Sequence, residues 1–217
     1  AVQLTSGWEK ELAIALDDSF PFTALLPTID AFYALNKQTR LNFTHHTLAG
    51  SWEELTHNGA DIILGAINEP PTSAAWSYRM LGTLDNVFVV APSHPLATAS
   101  EGLTNEQLCL HRAVVISDSA RVCHPLQTNL MDEQPQIRVD DFHSKVTLLR
   151  AGMGCGFLPR HIASPWLATG ELVEKTVNSF RQKDVAYMAW RNGSDGLAQR
   201  WWRETLLASA EIRRLYQ

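Results

Sequence analysis

Eight histidines come first, because imidazole is the commonest protein ligand for metals. They are His45, His46, His57, His94, His111, His124, His143 and His161. His45 and His46 are neighbours on a predicted strand. Successive strand side chains face opposite sides, so the pair cannot hold one ion together. No HExxH or CxxC accompanies them. Such spacings are what a zinc site needs. Solvated or hydrogen-bonded histidines are expected, with no metal site.

Nucleophiles give little more. The chain has no GxSxG. Ser119 has Asp118 beside it and His124 close behind. A triad, however, is a spatial arrangement and not a run of neighbours. Cys155 lies between Gly154 and Gly156 in an apolar run. It reads as a buried strand thiol with nothing near to lower its pKa. No catalytic residue is assigned, and the chain is not expected to be an enzyme. The run Gly152-Met153-Gly154-Cys155-Gly156 is glycine-rich, but it follows a predicted helix and precedes a strand. A dinucleotide fingerprint has strand, glycines, then helix. These glycines are expected to close a helix and let it pack tightly on a sheet. No cofactor is expected.

The elements that would position any site alternate in type. Leu12–Leu16 reads as a buried strand, and 22–36 carries apolar residues at helical spacing. Residues 40–48 alternate as a strand, 50–57 form a short helix, and Asn58-Gly59 stops it. A further buried strand spans 61–67. This β-α-β-α-β order implies a parallel sheet. Two strands are expected over 78–84 and 87–91. Pro92-Ser93-His94-Pro95 then leads into a second lobe. Thr104 and Gln107 stand at capping-box spacing ahead of a helix. Strands follow over 113–116, 136–139 and 154–158, with helices over 122–131, 142–151 and 159–168. Strands over 172–177 and 185–190 precede one long terminal helix, 196–216.

In this order several predicted strands run into short polar residues. Asp17, Asp18 and Ser19 follow the first strand. Leu48, Ala49, Gly50 and Ser51 follow the second, and Asn68 the third. Ser117, Asp118 and Ser119 follow one strand of the later part, and Asp140, Asp141, His143 and Ser144 another. Ligands of parallel α/β sheets bind beyond the carboxyl ends of strands. Ser and Asp there are also ordinary helix N-caps. Free N–H groups at helix starts suit an anion. The aspartates oppose one unless they are turned away or paired. A neutral, cationic or aromatic ligand is as credible as an anion.

Composition limits the classes. The chain has 217 residues, 45% of them hydrophobic and 19% charged, which provides a core and excludes disorder and coiled coil. At about 150 residues per domain, this allows one large domain or two small intertwined ones. No apolar run approaches the roughly 18 residues of a membrane span, so no membrane partner is expected. The start carries no basic-then-apolar signal pattern. Cys109, Cys123 and Cys155 are too few and scattered for a disulfide framework, and a cytoplasmic location is expected. The net charge of −5 argues against this chain gripping nucleic acid itself.

Four segments, in order, resemble the effector-binding domain of LysR-type transcriptional regulators. Leu148–Ala163, LLRAGMGCGFLPRHIA, looks like the family's V-x-A-G-x-G-I-x-x-L-P signature. Trp52–Ala66 resembles its helix ending in Gly, then a strand opening with Asp. Val89–Ala97, VVAPSHPLA, resembles its V-x-x-x-x-H-P-L hinge, and Glu171–Lys175 its G-x-L-V strand. The resemblance implies an α/β fold of two Rossmann-like lobes joined by two crossover strands, the type 2 periplasmic-binding-protein architecture. It places residues 1–7 as the end of a linker helix or an appended remnant. Lobe one is then 8–90 plus 187–217, and lobe two 91–186. It also implies a small-molecule effector between the lobes and antiparallel homodimers that build homotetramers. DNA would be contacted only through an N-terminal winged helix-turn-helix that this chain lacks.

Carried over residue by residue, the effector site would use Asp18, Ser19, Phe20, Gly50, Ser51, Trp52 and Asn68. From lobe two it would use Ser117, Ser119, Asp141 and His143. Many members of the family have Ser or Thr where Leu48 stands here. Thr47 and Ser51 flank that position, and Gly50 and Trp52 follow. An aromatic or heterocyclic effector gains over a simple small carboxylate, and a small polar metabolite stays open. Two other functions fit the same scaffold: a solute-binding protein of a transport system, or an enzyme.

Overall fold

A computed structural model describes residues 7–118, 134–178, 183–193 and 196–217. The helix expected over 122–131 lies outside the described residues. The chain divides into two compact units. Unit 1 holds the described residues up to Thr83 and again from Val185 to Gln217. Unit 2 holds Leu84–Asp118 and the described residues of 134–184.

Unit 1 begins with β1 (Glu11–Asp17) and α1 (Leu26–Leu35), the latter led in by a 3-10 turn, Phe22–Leu25. Then come β2 (Arg40–His46), α2 (Ala49–Glu53) and β3 (Ile62–Ile67). β1 runs parallel to both β2 and β3, as the alternation requires. Apolar side chains on both faces of β3 are buried, which is why it reads as one unbroken apolar run. α2 does not continue as an α-helix. Residues Glu54–Asn58 widen into a π turn that Gly59, at φ 85°, terminates. Trp52, Leu55, Ile63 and Ala189 form part of the core that this turn covers.

β4 (Trp76–Val90) is a single strand of 15 residues. The sequence reading divides it at Asp85 and Asn86, both poor strand formers. Each is instead held by a side-chain partner. The Asn86 amide donates to Asp184 at 2.7 Å, and the Arg160 guanidinium donates to Asp85 at 2.6 Å. With those groups satisfied, no turn is needed. β4 passes from unit 1 to unit 2 between Thr83 and Leu84.

Unit 2 contains α3 (Asn105–Cys109), β5 (Ala113–Ile116), β6 (Gln136–Val139) and α4 (Phe142–Arg150). β7 (Gly156–Pro159), α5 (Arg160–Ala168) and β8 (Val173–Lys175) follow. The capping box at Thr104 forms in both directions. β5 and β6 pair in parallel, while β7 and β8 pair antiparallel with β4. The glycine run does what its order implies. Gly152, at φ 73°, closes α4. A Cβ on Gly154 would lie 2.6 Å from the Arg112 carbonyl oxygen, and one on Gly156 would lie 2.8 Å from that of Val114. Backbone thus approaches backbone where any side chain would intrude.

β9 (Lys183–Arg191) returns the chain to unit 1 and pairs antiparallel with β3. Instead of one terminal helix there are two, α6 (Leu197–Ala208) and α7 (Ala210–Leu215). The break falls at Ser209, whose backbone is extended and whose hydroxyl accepts the Ile212 N–H at 3.2 Å. Serine competes with the helix ladder in this way, and apolar spacing alone does not reveal it.

The start of α6 is fixed from the other end of the sequence. Glu9 is 2% exposed, and its carboxylate accepts the N–H groups of Ala198 at 2.8 Å and Gln199 at 3.0 Å. Gly196 leaves room for it. An acidic group on free helix N–H donors satisfies both partners and complements the helix dipole. Glu9→Ala is expected to lower stability by about 2 kcal/mol, read from urea unfolding. The slope with urea should stay unchanged.

Candidate functional site

The carboxyl ends of β1, β2 and β3 gather the polar junctions of unit 1. After β1, the Asp18 N–H donates to the His46 carbonyl at 2.8 Å, prolonging the parallel pairing. Ser19 folds back on Asp17. Its N–H donates to one Asp17 carboxylate oxygen at 2.9 Å, and its hydroxyl bonds the same oxygen. Phe20 is buried, with its N–H on the Asp17 carbonyl at 2.8 Å. It packs at Gly65, which sits at φ 81° where β3 shifts register against β9.

After β2 the backbone is strained. Leu48 has φ 52° and ψ −127°, a region that side-chain-bearing residues rarely adopt, and it offers no side-chain cap to α2. The N–H groups of Gly50 and Ser51 turn back onto the carbonyls of Thr47 and Leu48, at 3.0 and 3.3 Å. Ser51 is 1% exposed, and its hydroxyl has no hydrogen-bond partner among the described residues. Trp52 stands in the core of unit 1, with its indole N–H on the Ile67 carbonyl at 3.3 Å. That bond ties the first turn of α2 to the end of β3. After β3, Asn68 takes φ 79°, which asparagine tolerates better than most residues. Its amide nitrogen is buried without a partner among the described residues. Ser51 and Asn68 each neighbour a partner in the Trp52–Ile67 bond.

The other two expected groups belong to unit 2. The Ser117 N–H donates to the Val139 carbonyl at 2.8 Å. Asp141 caps α4, accepting the Ser144 N–H at 2.6 Å and its hydroxyl at 2.8 Å. The Ser144 N–H, and then its hydroxyl, hold the Asp141 carboxyl below its usual pKa. His143 is exposed, and its carbonyl accepts the Thr147 hydroxyl. Ser119 lies outside the described residues.

Two residues outside the expected effector set belong to the unit 1 region, Tyr216 and His46, the latter weighed in the sequence only as a metal ligand. Tyr216 is buried, and a Cβ on Gly65 would lie 2.8 Å from its hydroxyl. Burial, with a smaller push from the Asp17 carboxylate, moves the phenol far above its ordinary pKa. The packing of Gly65 and Gly82 against a tyrosine far away in sequence leaves no local signal. The second is His46, whose Nε2 lies 2.8 Å from the Thr44 hydroxyl and whose Nδ1 lies 3.7 Å from Glu54. His45 turns the other way, toward the Phe22 ring. Among the described residues, no three His, Cys, Asp or Glu side chains are grouped to hold a metal ion.

Comparison with known proteins places this architecture. The LysR substrate binding domain family matches residues 5–211. The chain belongs to the LysR family. The HTH-type transcriptional regulator YeeY of Escherichia coli (strain K12) is 43% identical over 216 residues, covering all of this chain and 70% of that protein. Among solved structures, the regulatory domain of MetR from Neisseria meningitidis superposes with a TM-score of 0.67 at 20% identity. That match covers 94% of this chain and 93% of the other. The effector binding domain of QuiR, solved in complex with shikimate, gives a TM-score of 0.64 at 14% identity. It covers 95% of this chain and 96% of that one. These likenesses establish the type 2 periplasmic-binding-protein-like fold of a LysR regulatory domain.

In this LysR domain, His46 makes the unit 1 region pH-sensitive. Burial lowers its pKa from the ordinary 6.5, against the raising effect of Glu54. The folded state therefore resists protonation that the unfolded state accepts. Stability is full above pH 6.5 and declines as pH falls toward the lowered folded value. His46→Gln is expected to reduce that decline, measured as unfolding free energy against pH between neutral and mildly acidic buffers. An unchanged slope would show that the imidazole is as easily protonated folded as unfolded.

Proposed function

We propose that this LysR domain is an effector sensor whose small-molecule site lies at the strand ends of unit 1, with Ser51 and Asn68 as its central polar contacts. The observation that carries this reading is their pair of unanswered hydrogen-bonding groups. A buried polar atom without a partner costs about 1–3 kcal/mol, and proteins rarely keep one without a use. Both stand where α/β sheets bind ligands: Ser51 follows Leu48 closely, and Leu48 and Asn68 itself are the two non-glycine residues with positive φ among the described residues. Strained backbone of this kind collects at binding sites. Ser19 and Gly50 line the same junctions, and Phe20 supplies apolar contact. QuiR, of the same fold, has a domain solved with shikimate, which supports a small-molecule role here.

The domain works without turnover, as a non-enzymatic part of a cytoplasmic regulator. DNA is contacted by another part of that protein, in keeping with the relatives' HTH-type name. Effector binding biases the association of subunits in a homodimer or homotetramer, by preferring one of two arrangements. Within unit 2, Ser117, Asp141 and His143 stand at that unit's own strand ends and are proposed as its polar contacts.

The test is a thermal-shift screen of wild type and Ser51→Ala against aromatic acids, amides, amines and nucleobases. A ligand at 100 times its Kd should stabilise wild type by about 2.7 kcal/mol, a shift of a few degrees. Without ligand, Ser51→Ala should melt no lower than wild type, because it removes an unsatisfied hydroxyl. With the same ligand concentration, its shift should fall to about half that of wild type. A variant that melts lower alone and responds equally to ligand would make Ser51 a structural residue and remove the site from this position.

A further inference from the structure

We infer that Lys145 is a reactive amine site that captures an aldehyde as a reversible imine. Lys145 belongs to unit 2, and nothing in its chemistry draws on Ser51 or Asn68 of unit 1. α4 begins just past the carboxyl end of β6, with Asp141 as its cap, and Lys145 stands in its first turn. The residue is 7% exposed. Val146 and Leu149, on the same helix, belong to the core of unit 2. The lysine stem runs over Gly156, where a Cβ would lie 3.4 Å from Cε. The missing side chain of Gly156 thus leaves room for it. Nζ lies 5.9 Å from the centre of the Phe142 ring, back toward the start of α4, as helical side chains lean.

A second buried lysine shows what is different here. Lys175 is as deeply buried, but its ammonium is answered. It donates to the Ala99 carbonyl at 2.7 Å and lies 3.1 Å from the Glu101 carboxylate. Lys145 meets a ring, apolar stems and a thiol. Burial lowers its pKa to about 8, against an upward pull from Cys155. Burial also pushes the Cys155 thiol up to about 12. At neutral pH the thiol therefore keeps its proton, while Lys145 spends part of its time uncharged. An amine of pKa about 8 is about one-tenth neutral at about pH 7, on the order of a hundredfold more than an ordinary lysine.

Only the neutral nitrogen carries the electron pair that attacks carbon, so a desolvated lysine suits Schiff-base chemistry. That pair forms a C–N bond with the aldehyde carbon. The carbonyl π electrons move to oxygen, and one nitrogen proton follows them. The carbinolamine then loses its oxygen as water, taking the second nitrogen proton, and the C=N bond closes. Amine and aldehyde become imine and water, with no oxidant or reductant, and water reverses the step. Crowding around the buried stem favours an aldehyde over a ketone. The Phe142 ring offers an apolar face to the rest of the ligand. Reversible capture without turnover is compatible with a sensor.

Limited reductive alkylation of this chain with butyraldehyde and cyanoborohydride, followed lysine by lysine with peptide mass spectrometry, tests the assignment. Exposed Lys10 and Lys37 and the hydrogen-bonded Lys175 serve as internal references. At neutral pH, Lys145 should be alkylated at least about tenfold faster than each of them. Its lead over Lys10 and Lys37 should close near about pH 10.5, where exposed amines are neutral too. It should also vanish in denaturing urea. Lys145→Met keeps the apolar stem and should lose the dominant adduct. Alkylation of Lys145 no faster than that of Lys10 and Lys37 at neutral pH would overturn the assignment. A lead that survives unfolding would overturn it too, since burial would then not be its cause. A dominant lysine adduct that persists in Lys145→Met would place the reactive amine elsewhere.

Discussion

The end of the chain holds the middle of the sheet. Tyr216 lies in notches left by Gly65 on β3 and Gly82 on β4; a Cβ at Gly82 would fall 1.9 Å from its carbonyl oxygen. That oxygen accepts the Thr83 N–H at 2.9 Å. Thr83 is the last residue of unit 1 before β4 enters unit 2. Gly65 is the point where β3 changes register, and the strand then has only Ala66 and Ile67 before Asn68 turns away at φ 79°. One buried tyrosine thus constrains where β4 leaves unit 1 and how β3 ends. Filling either notch would displace the last turn of the chain or move the strand, since packed interiors do not absorb a methyl group freely.

Buried polar groups in unit 1 are mostly answered, which gives the exceptions their meaning. Asp61 accepts the Ala13 N–H, and Asp17 accepts Ser19 twice. Glu9 accepts two N–H groups of α6. Besides Ser51 and Asn68, only the Gln199 oxygen and the Trp202 indole nitrogen lack partners among the described residues. Those two lie on α6, within close-packed surroundings. Trp202 is fully buried against Phe32 and Phe43. Gln199 uses its amide nitrogen on the Arg191 carbonyl at 2.9 Å. Their deficits are the cost of a tight core. Those of Ser51 and Asn68 stand at strand ends, next to strained backbone.

The architecture was legible because its signals are local. Alternation of strand and helix patterns, glycine stops and the Thr104 capping box each act over a few residues. The misread places involve partners distant in sequence. Asp85 and Asn86 look like a break until Arg160 and Asp184 satisfy them. Ser209 divides a helix whose apolar spacing runs on unbroken. The junction residues could be named from position alone, because the end of a strand is a local feature. Which of them keep a free polar group could not be read, since that depends on what every neighbour is already bonded to. Trp52 shows the limit: its type fits a ligand face or a core equally, and its bond to Ile67 is a tertiary fact.

Strain and unanswered polarity act together at the same junctions. Positive φ at Leu48 and Asn68 costs on the order of 1–3 kcal/mol each, and an unsatisfied buried group about as much. A domain of this size has a net stability of only about 5–15 kcal/mol. Features of that cost persist only when packing elsewhere enforces them. Here the enforcement is visible: Leu48 is itself buried, and the adjoining turn of α2 is pinned by Trp52. In the site proposed above, a ligand that answered Ser51 and Asn68 would offset that cost without needing the backbone to move, leaving more of its binding free energy to favour one state over another.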